Sequence, residues 1–241
     1  MEYEEFLKLL KRRRAIRRWK LEPIPDGHIE KMIEAARWAM SGANGQPWEF
    51  VIVKDKETKD RIADYYLGTE LRFWNIEKTR VEEVRHNALR GAQPPSRRHA
   101  FKDAPVLIVV CGDPRTFMAT VLGAQFYEGD WSVFWMNLAN ACQNLHLAAV
   151  TLGLATTWVS VSNDWEGSLK NLLGIPEFFR VRMIVPVGYP AYKPAAPYRR
   201  ELREIVHYEH YDQSKFRSDD DIFHFLVALR TRTRVAYSEV V

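Results

Sequence analysis

The sequence predicts an α+β fold in which a central sheet is covered by helices. The chain has 241 residues, of which 46% are hydrophobic and 12% aromatic, enough for one sizeable core. Segments with strand and helix patterns are interspersed rather than strictly alternating, and no GxGxxG motif is present, which argues against a doubly wound dinucleotide-binding sheet. No internal repeat or linker marks a boundary, so residues 1–241 are expected to form a single domain.

The N-terminal half is expected to contain helices and one strand. Apolar residues at helical spacing among charges mark the first two helices, and Asp26 is expected to cap the second. Residues 68–104 are less regular, and Pro94 and Pro95 interrupt the pattern. The expected elements are helices over residues 3–14, 28–40, 56–67 and 75–89, and a strand over residues 48–53.

The C-terminal half contains the expected core. Residues 105–111 form a continuous apolar run, the pattern of a buried strand. Residues 131–150 are apolar on nearly all sides, so this helix is expected to be central or buried in a subunit interface. The other expected elements are strands over 154–161, 181–187 and 205–208, a helix from a cap at Asp164 to Leu173 that Gly174 stops, and a helix over 219–230.

Charge and composition narrow the class of protein. The net charge of +4, from 35 Lys and Arg against 31 Asp and Glu, is too small an imbalance to indicate nucleic-acid binding. The sequence has neither an apolar run of membrane-spanning length nor the pattern of a signal peptide, so we expect a cytoplasmic protein without a membrane span. Cys111 and Cys142 lie in apolar segments without a metal-like or redox-like neighbour and are interpreted as buried free thiols. His207 and His210 lack an evident third ligand, so no metal site is expected.

Four short segments combine residue types that suit a bound cofactor. Near the end of the first helix, Arg13, Arg14 and Arg17 can hold a phosphate by charge-assisted hydrogen bonds. Each segment also has an ordinary interpretation: a solvated basic helix end, a connecting loop, a core strand, or a turn with a basic tail. The segments are Arg13-Arg14-Ala15-Ile16-Arg17, residues 41–48 (SGANGQPW), residues 153–160 (GLATTWVS), and Val187-Gly188-Tyr189-Pro190 followed by Arg199 and Arg200.

In this order and spacing, the four segments resemble the nitroreductase family of FMN-dependent enzymes. The resemblance covers residues 11–54 and 131–207. It implies a mostly antiparallel central sheet flanked by helices, and an intertwined homodimer that carries its flavin between two subunits. The sequence departs from the family pattern at Ala15, where Ser is usual, and at Met40, where Pro is common. The missing hydroxyl would remove one hydrogen bond to the phosphate, which Arg14 and Arg200 are expected to offset.

The resemblance also implies roles for individual residues. Arg17 matches the cation beside flavin N1 and O2, where it would stabilise the negative charge of the reduced ring. Ser160 matches the group facing flavin N5, where hydride arrives and leaves, so Arg17 and Ser160 are the expected catalytic residues. Arg13, Arg14 and Arg199 match contacts of the phosphate or ribityl chain. The implied cofactor-binding residues are Arg13, Arg14, Ala15, Arg17, Met40, Ser41, Gly42, Asn44, Trp158, Val159, Ser160, Arg199 and Arg200, with Ser41 expected to come from the partner subunit.

The activity implied by the resemblance is a two-electron reduction. NADH or NADPH would reduce FMN, which would pass the electrons to a small aromatic acceptor, nitro- or quinone-type, by a ping-pong mechanism. The alternatives are a specialised member of the family (deiodinase-like or another reductive dehalogenase, flavin-destroying, or ene-reductase-like), a non-catalytic flavin-binding protein, and a basic nucleic-acid module. The Trp158-Val159-Ser160 ending is similar to that of the deiodinase-like branch.

Two regions lie outside the resemblance or at its edge. Residues 68–104 are expected to form a lid or substrate region, and residues 214–241 a C-terminal extension. The basic residues of the lid region are interpreted as a solvated helix face rather than a site for an anionic substrate. These residues are Arg80, Arg85, His86, Arg97, Arg98 and His99.

Overall fold

The computed structural model describes residues 2–81, 100–120 and 131–238, which fall into two compact units, residues 1–191 and 192–241. The prediction of a single domain over the whole chain stays a prediction. The first unit contains helices α1 (Tyr3–Arg12), α2 (Asp26–Arg37), α3 (Lys56–Thr79), α4 (Pro114–Met118), α5 (Ser132–Thr151) and α6 (Asn163–Leu173), and strands β1 (Trp48–Val53), β2 (Val106–Gly112), β3 (Ala155–Thr156), β4 (Val159–Ser160) and β5 (Arg180–Gly188). The second unit contains α7 (Leu202–Ile205) and α8 (Asp219–Ser238).

The central sheet is antiparallel throughout the described residues. Its strand order is β1-β2-β5-β3, and β4 also pairs with β5. Val109 lies opposite Val51 on one side and Ile184 on the other, which places β2 between β1 and β5. Every residue of β2 is buried, as the continuous apolar run predicts.

Helix α5 forms the core together with the sheet. Its residues Phe134, Leu138 and Leu145 are fully buried and belong to one hydrophobic cluster with residues of α2, β2 and β5. Gly112 lets the helix approach β2 closely, because a Cβ there would lie 2.6 Å from the Phe134 ring. Met136, on another face of the helix, is 59% exposed. The helix is therefore central, as predicted, and leaves one face at the surface, where Met136 is accompanied by the polar residues Asn140 and Gln143.

Two predicted helix caps are wrong. Pro25 occupies the cap position of α2, and the carboxylate of Asp26 pairs with Lys54 instead. Ser162 occupies the cap position of α6, whereas Asp164 accepts hydrogen bonds from Thr69 Oγ1 at 2.8 Å and Arg72 Nη2 at 2.9 Å. Both carboxylates are drawn to cations or hydroxyls of other elements, which local spacing does not reveal.

Three predicted elements differ from the structure. Helix α3 begins at a cap, Asp55, which accepts from Thr58 N at 2.7 Å, and it runs unbroken to Thr79. Residues 68–74, which were expected to be irregular, are therefore helical and join the predicted helix over residues 56–67 to the start of the one predicted over residues 75–89. The strand predicted over residues 154–161 is two short strands separated by Thr157 and Trp158. The predicted strand over residues 205–208 is wrong, because helix α7, which a capping box of Glu201 and Glu204 starts, extends to Ile205 and residues 206–208 form no strand.

Some expectations concern residues beyond the described ranges. The lid residues Arg85, His86, Arg97, Arg98 and His99 lie outside the described residues, as does the predicted helix after residue 81.

In the described ranges, no helix has both the length and the apolar character needed to cross a membrane. No cluster of three or more His, Cys, Asp or Glu residues suited to a metal ion occurs in those same ranges.

Candidate functional site

One cavity of the first unit brings the two predicted catalytic residues together. Its volume is about 350 Å³, near the lower end of the range for ligand pockets. Arg17 and Ser160 both line it, so a cation and a strand-end hydroxyl face the same space. The lining residues are Arg17, Trp19, Tyr66, Phe101, Thr157, Trp158, Val159 and Ser160.

The segment that follows α1 is held against the sheet edge by backbone hydrogen bonds. Ile16 N donates to Thr156 O at 3.0 Å, and Lys20 N donates to Tyr189 O at 2.9 Å. Ala15 forms a parallel bridge with Thr156. Since Ala15 makes this contact through its main chain, the departure from the usual Ser leaves the bridge intact.

Trp19 fixes the path of the chain beside the cavity. Its indole Nε1 donates to Ala155 O at 3.3 Å, and its main chain forms a bridge with Pro190. A Cβ on Gly188 would lie only 2.7 Å from Trp19 Cδ1 and from Pro105 Cδ. The glycine of the Val-Gly-Tyr-Pro segment is therefore needed for the close approach of the indole ring.

The guanidinium groups at the end of α1 fit an anionic ligand. Arg14 donates through Nη1 to the carbonyls of Lys11 and Arg13, the latter at 2.9 Å. Its Nε is buried and has no hydrogen-bond partner among the described residues. Burial, together with the charge of Arg13, lowers the pKa of the His146 imidazole. A buried guanidinium N–H without an acceptor is a group that a phosphate oxygen would satisfy.

The loop after α2 is strained. Ala43, Asn44 and Gln46 have φ values of 53°, 53° and 44°, in the left-handed region. This region costs a residue with a side chain roughly 1–2 kcal/mol, and such strain is found preferentially at ligand sites. Ser41 Oγ accepts a hydrogen bond from Gln46 N at 3.1 Å and helps to close the loop.

Two asparagines of α5 hold this loop. Asn137 Oδ1 accepts from Gly42 N at 3.1 Å, and Asn140 Nδ2 donates to Met40 O at 3.3 Å. Among the described residues that line the cavity, none comes from this loop. The structure therefore does not bring Met40, Ser41, Gly42 and Asn44 to Arg17, and their contact with a flavin stays a prediction.

Tyr66, which the sequence analysis did not identify, reaches the cavity from α3. Its ring meets Phe101 edge-on, with centroids 5.4 Å apart. Burial raises the pKa of Tyr66 to about 12, with Glu70 adding to the rise and Arg17 opposing it. The phenol is therefore protonated at neutral pH and lies near the cation of the cavity. Helical periodicity places Tyr66 in a helix, but it does not reveal which face meets Arg17.

His146, also missed, lies beneath the site on α5. Its Nδ1 is 2.7 Å from Thr156 Oγ1, and its Nε2 is 3.5 Å from Cys142 Sγ. Burial lowers the pKa of His146 to about 4, and Arg13 acts in the same direction. Burial also raises the pKa of the Cys142 thiol to about 12, so both groups are neutral at pH 7 and do not form a thiolate–imidazolium pair.

The two cysteines agree with the sequence analysis. Cys111 and Cys142 are free and buried, as predicted. His146 follows Cys142 by one helical turn on the same buried face, but both groups are neutral at pH 7, so the expectation of a thiol without a redox-like neighbour is not contradicted.

Arg199 and Arg200 belong to the second unit. Arg199 Nη1 donates to Tyr198 O at 2.8 Å, and Arg200 Nη2 donates to Glu204 O at 2.6 Å. Both guanidiniums thus contact backbone carbonyls of their own unit. Their convergence with Arg13 and Arg14 on one phosphate stays a prediction.

The comparison with protein families agrees with this geometry. The model of the nitroreductase family matches residues 10–189, a range that contains α2 to α6 and the whole sheet. The chain belongs to the nitroreductase family. The resemblance, the α+β fold with an antiparallel sheet, and the prediction of an oxidoreductase are thereby confirmed. The intertwined homodimer stays a prediction.

Relatives of this nitroreductase-family chain include two kinds of enzyme. An Archaeoglobus fulgidus protein, provisionally named NADH dehydrogenase/NAD(P)H nitroreductase, is 29% identical over 78% of this chain and 86% of its own length. Iodotyrosine deiodinase 1 of Rattus norvegicus is 30% identical over 86% of this chain and 70% of its own length. A crystal structure of oxidized iodotyrosine deiodinase bound to FMN and 3-iodo-L-tyrosine is 27% identical, covers 85% of this chain and 99% of that chain, and superposes with a TM-score of 0.64.

Proposed function

We propose that this chain is an FMN-dependent oxidoreductase that transfers two electrons from NADH or NADPH to a small aromatic acceptor of nitro or quinone type, in ping-pong half-reactions. The observation that carries the proposal is the cavity in which Arg17 and Ser160 meet four aromatic side chains. A nicotinamide-dependent relative and a deiodinase structure with bound FMN support the cofactor assignment.

The residues of the cavity suit a planar ring that gains negative charge. The aromatic side chains offer flat apolar walls, and Arg17 supplies a cation where negative charge would develop on reduction. Arg14, with its buried Nε that lacks a partner among the described residues, would serve the phosphate together with Arg13. When bound, FMN would supply the redox chemistry by accepting hydride and releasing two electrons. With a nitroarene, one NAD(P)H and one proton are consumed, and a nitroso product, NAD(P)⁺ and water are formed.

The proposal includes a homodimer. Large apolar side chains lie at the surface beside the strained loop and on α5: Trp38 is 74% exposed, Met40 79% and Met136 59%. Apolar side chains grouped in this way are typical of a subunit interface. A second subunit that covers them would bring its own loop residues to this cavity, which accounts for a loop that is strained and yet contributes nothing to the cavity in one chain.

A reductive dehalogenase of the deiodinase type is a second candidate. The deiodinase relatives, at 30% identity over most of this chain, favour it specifically. In that reaction an aryl iodide and NAD(P)H give the arene, iodide and NAD(P)⁺. The two candidates would use the same cavity and differ in the acceptor that it accommodates.

The test is to purify the protein in the presence of FMN, identify the released chromophore, and assay NADH and NADPH with three acceptors. A nitroaromatic, a quinone and an iodinated phenol are compared under anaerobic conditions. We expect one FMN per chain and NAD(P)H oxidation that depends on the nitroaromatic or quinone. Iodide release without nitro reduction would favour the second candidate. A protein that binds no flavin would rule out both, and one that binds flavin without turnover would be a non-catalytic flavoprotein.

A further inference from the structure

We propose that His146 is a positioning residue that holds the two sides of the cavity, residues 13–17 and residues 157–160, in a fixed relation to each other. The inference rests on the proposed function, because FMN is the ligand whose binding this arrangement would govern. No step of the proposed reaction uses His146, yet its imidazole is buried at the junction of these two segments.

A hydrogen bond joins α5 to the sheet edge. His146 Nδ1 lies 2.7 Å from Thr156 Oγ1, and the two side chains are 6% and 2% exposed. A buried hydroxyl that loses its partner keeps its desolvation cost, so the contact strongly favours one position of β3 relative to α5.

Thr156 connects this hydrogen bond to the cavity. Its carbonyl accepts from Ile16 N at 3.0 Å, and Ala15 bridges to Thr156, so residues 13–17, the arginine segment, are attached to this residue. Thr157, the next residue, already lines the cavity that Ser160 completes. One threonine is therefore joined to α5 by its side chain, to the arginine segment by its main chain, and to the cavity wall through the covalent chain.

Histidine suits this place because of the groups that surround its ring. The groups around the imidazole are Thr156, the Cys142 thiol at 3.5 Å and the Trp158 ring with centroids 6.4 Å apart, and the charge of Arg13 also acts on it. A neutral imidazole can donate with one nitrogen and accept with the other, so it serves Oγ1 and Sγ at once. It also adds no positive charge beside Arg13, whereas a lysine or arginine would repel the guanidinium that the proposed function assigns to the phosphate.

Two amide substitutions separate the two contacts of the ring. The amide of His146→Asn reaches the region of Nδ1 and can still pair with Thr156, whereas that of His146→Gln reaches the region of Nε2 and Cys142. Thr156→Val removes the same hydrogen bond from the other side, and Cys142→Ala is the control that removes only the thiol contact. We expect His146→Gln and Thr156→Val to raise the FMN dissociation constant about fivefold to tenfold, since a buried neutral hydrogen bond contributes about 1 kcal/mol. His146→Asn and Cys142→Ala should remain within about twofold of wild type.

The second readout needs no flavin. Hydrogen exchange of a peptide covering residues 13–20 is measured in the flavin-free protein, where faster exchange reports release of the arginine segment from Thr156. We expect acceleration in His146→Gln and Thr156→Val, and recovery of slow exchange in His146→Asn. A wild-type protein that binds no FMN would defeat the proposed function, and the exchange data would still decide whether His146 holds the segment.

Two results would overturn the inference. One is equal FMN affinity and equal exchange in the asparagine and glutamine variants, because a general packing role does not distinguish the two ring nitrogens. The other is a Cys142→Ala variant as impaired as Thr156→Val, which would place the effect on the thiol side. Since Asn and Gln are compared with each other, the result stands even where Thr156→Val does not fold.

Discussion

Gly188→Ala is the substitution whose cost follows most directly from the structure. The new Cβ would lie 2.7 Å from both Trp19 Cδ1 and Pro105 Cδ, and 2.9 Å from Trp19 Cγ, where ordinary contacts begin at 3.4 Å. The indole would have to move by several tenths of an ångström, although it is 7% exposed and donates to Ala155 O. Because Trp19 lines the cavity, the same movement would also change the candidate site.

The expected loss of stability has two parts. Overpacking of this kind costs about 1–3 kcal/mol, and a weakened indole hydrogen bond adds about 1 kcal/mol. A total of roughly 2–4 kcal/mol corresponds to a melting temperature lower by about 5–15 °C in a chain of this size. The measurement is urea unfolding at fixed pH, with calorimetry for the melting temperature.

A matched control is available on α6. At Gly167 a Cβ would meet nothing within 4 Å, and the residue is helical, so Gly167→Ala should stabilise the protein by up to about 1 kcal/mol. In the double variant Gly188→Ala with Trp19→Leu, Trp19→Leu should lower the free energy of unfolding less than it does in the wild-type protein. The reason is that it also removes the clash between the new Cβ and the indole. A Gly188→Ala protein as stable as wild type, or additive costs in the double variant, would refute the packing argument.

Three further predictions concern the site, and one concerns assembly. Arg17→Gln should lower the two-electron potential of bound FMN by roughly 30–60 mV, the equivalent of about 1.4–3 kcal/mol of lost charge stabilisation; an unchanged potential would mean that another cation acts there. Tyr66→Phe should raise the KM for the aromatic acceptor about threefold to tenfold while the control Tyr65→Phe does not, and the wild-type KM should be flat from pH 6 to 9 because the pKa of Tyr66 is about 12. His146 has a pKa of about 4 when folded against 6.5 when unfolded, so between these values the unfolded chain binds more protons and stability falls as the pH falls. Wild type should lose roughly 3 kcal/mol more than His146→Asn from pH 7 to pH 4, and equal losses in denaturant titrations would contradict this. Met136→Glu should shift the dimer towards monomer in light scattering, and a wild type that is itself monomeric with full flavin would contradict the proposed homodimer.

The sequence predicts best the elements whose own residue pattern shows that they are buried. The continuous apolar run at residues 105–111 and the apolar helix at residues 131–150 agree with β2 and α5 to within one residue at each end. Every residue of β2 is buried, and α5 contributes eight buried residues to the core, so burial largely determines the composition of both. The cap predicted at Asp164 failed because a distant partner decides: Thr69 and Arg72 of α3 bind its carboxylate. The missed helix α7, by contrast, has a local signal, the capping box of Glu201 and Glu204.

The candidate site was predicted only in part, for the same physical reason. Arg17 and Ser160 were identified through the family resemblance, and the cavity that joins them could not be derived from their spacing along the chain. Tyr66 was not predicted because the sequence does not show what a given face of a helix packs against in the folded chain. The sequence contains one indication of His146, its position four residues after Cys142 on a buried helix. The contact on which the positioning role depends is with Thr156 on another element, which the sequence does not show.

Under the proposed function, helix α5 would connect flavin binding to assembly through two sets of contacts and one exposed side chain. Asn137 and Asn140 hold the strained loop, His146 holds the sheet edge that carries the arginine segment, and Met136 remains exposed on the outer face. Because these side chains project from one rigid helix, covering the outer face with a second subunit would restrict the same helix that positions the cavity. Under the proposed function, any gain in flavin affinity on dimerisation must therefore be matched by an equal gain in dimer stability when flavin binds, since coupling between two binding equilibria is reciprocal.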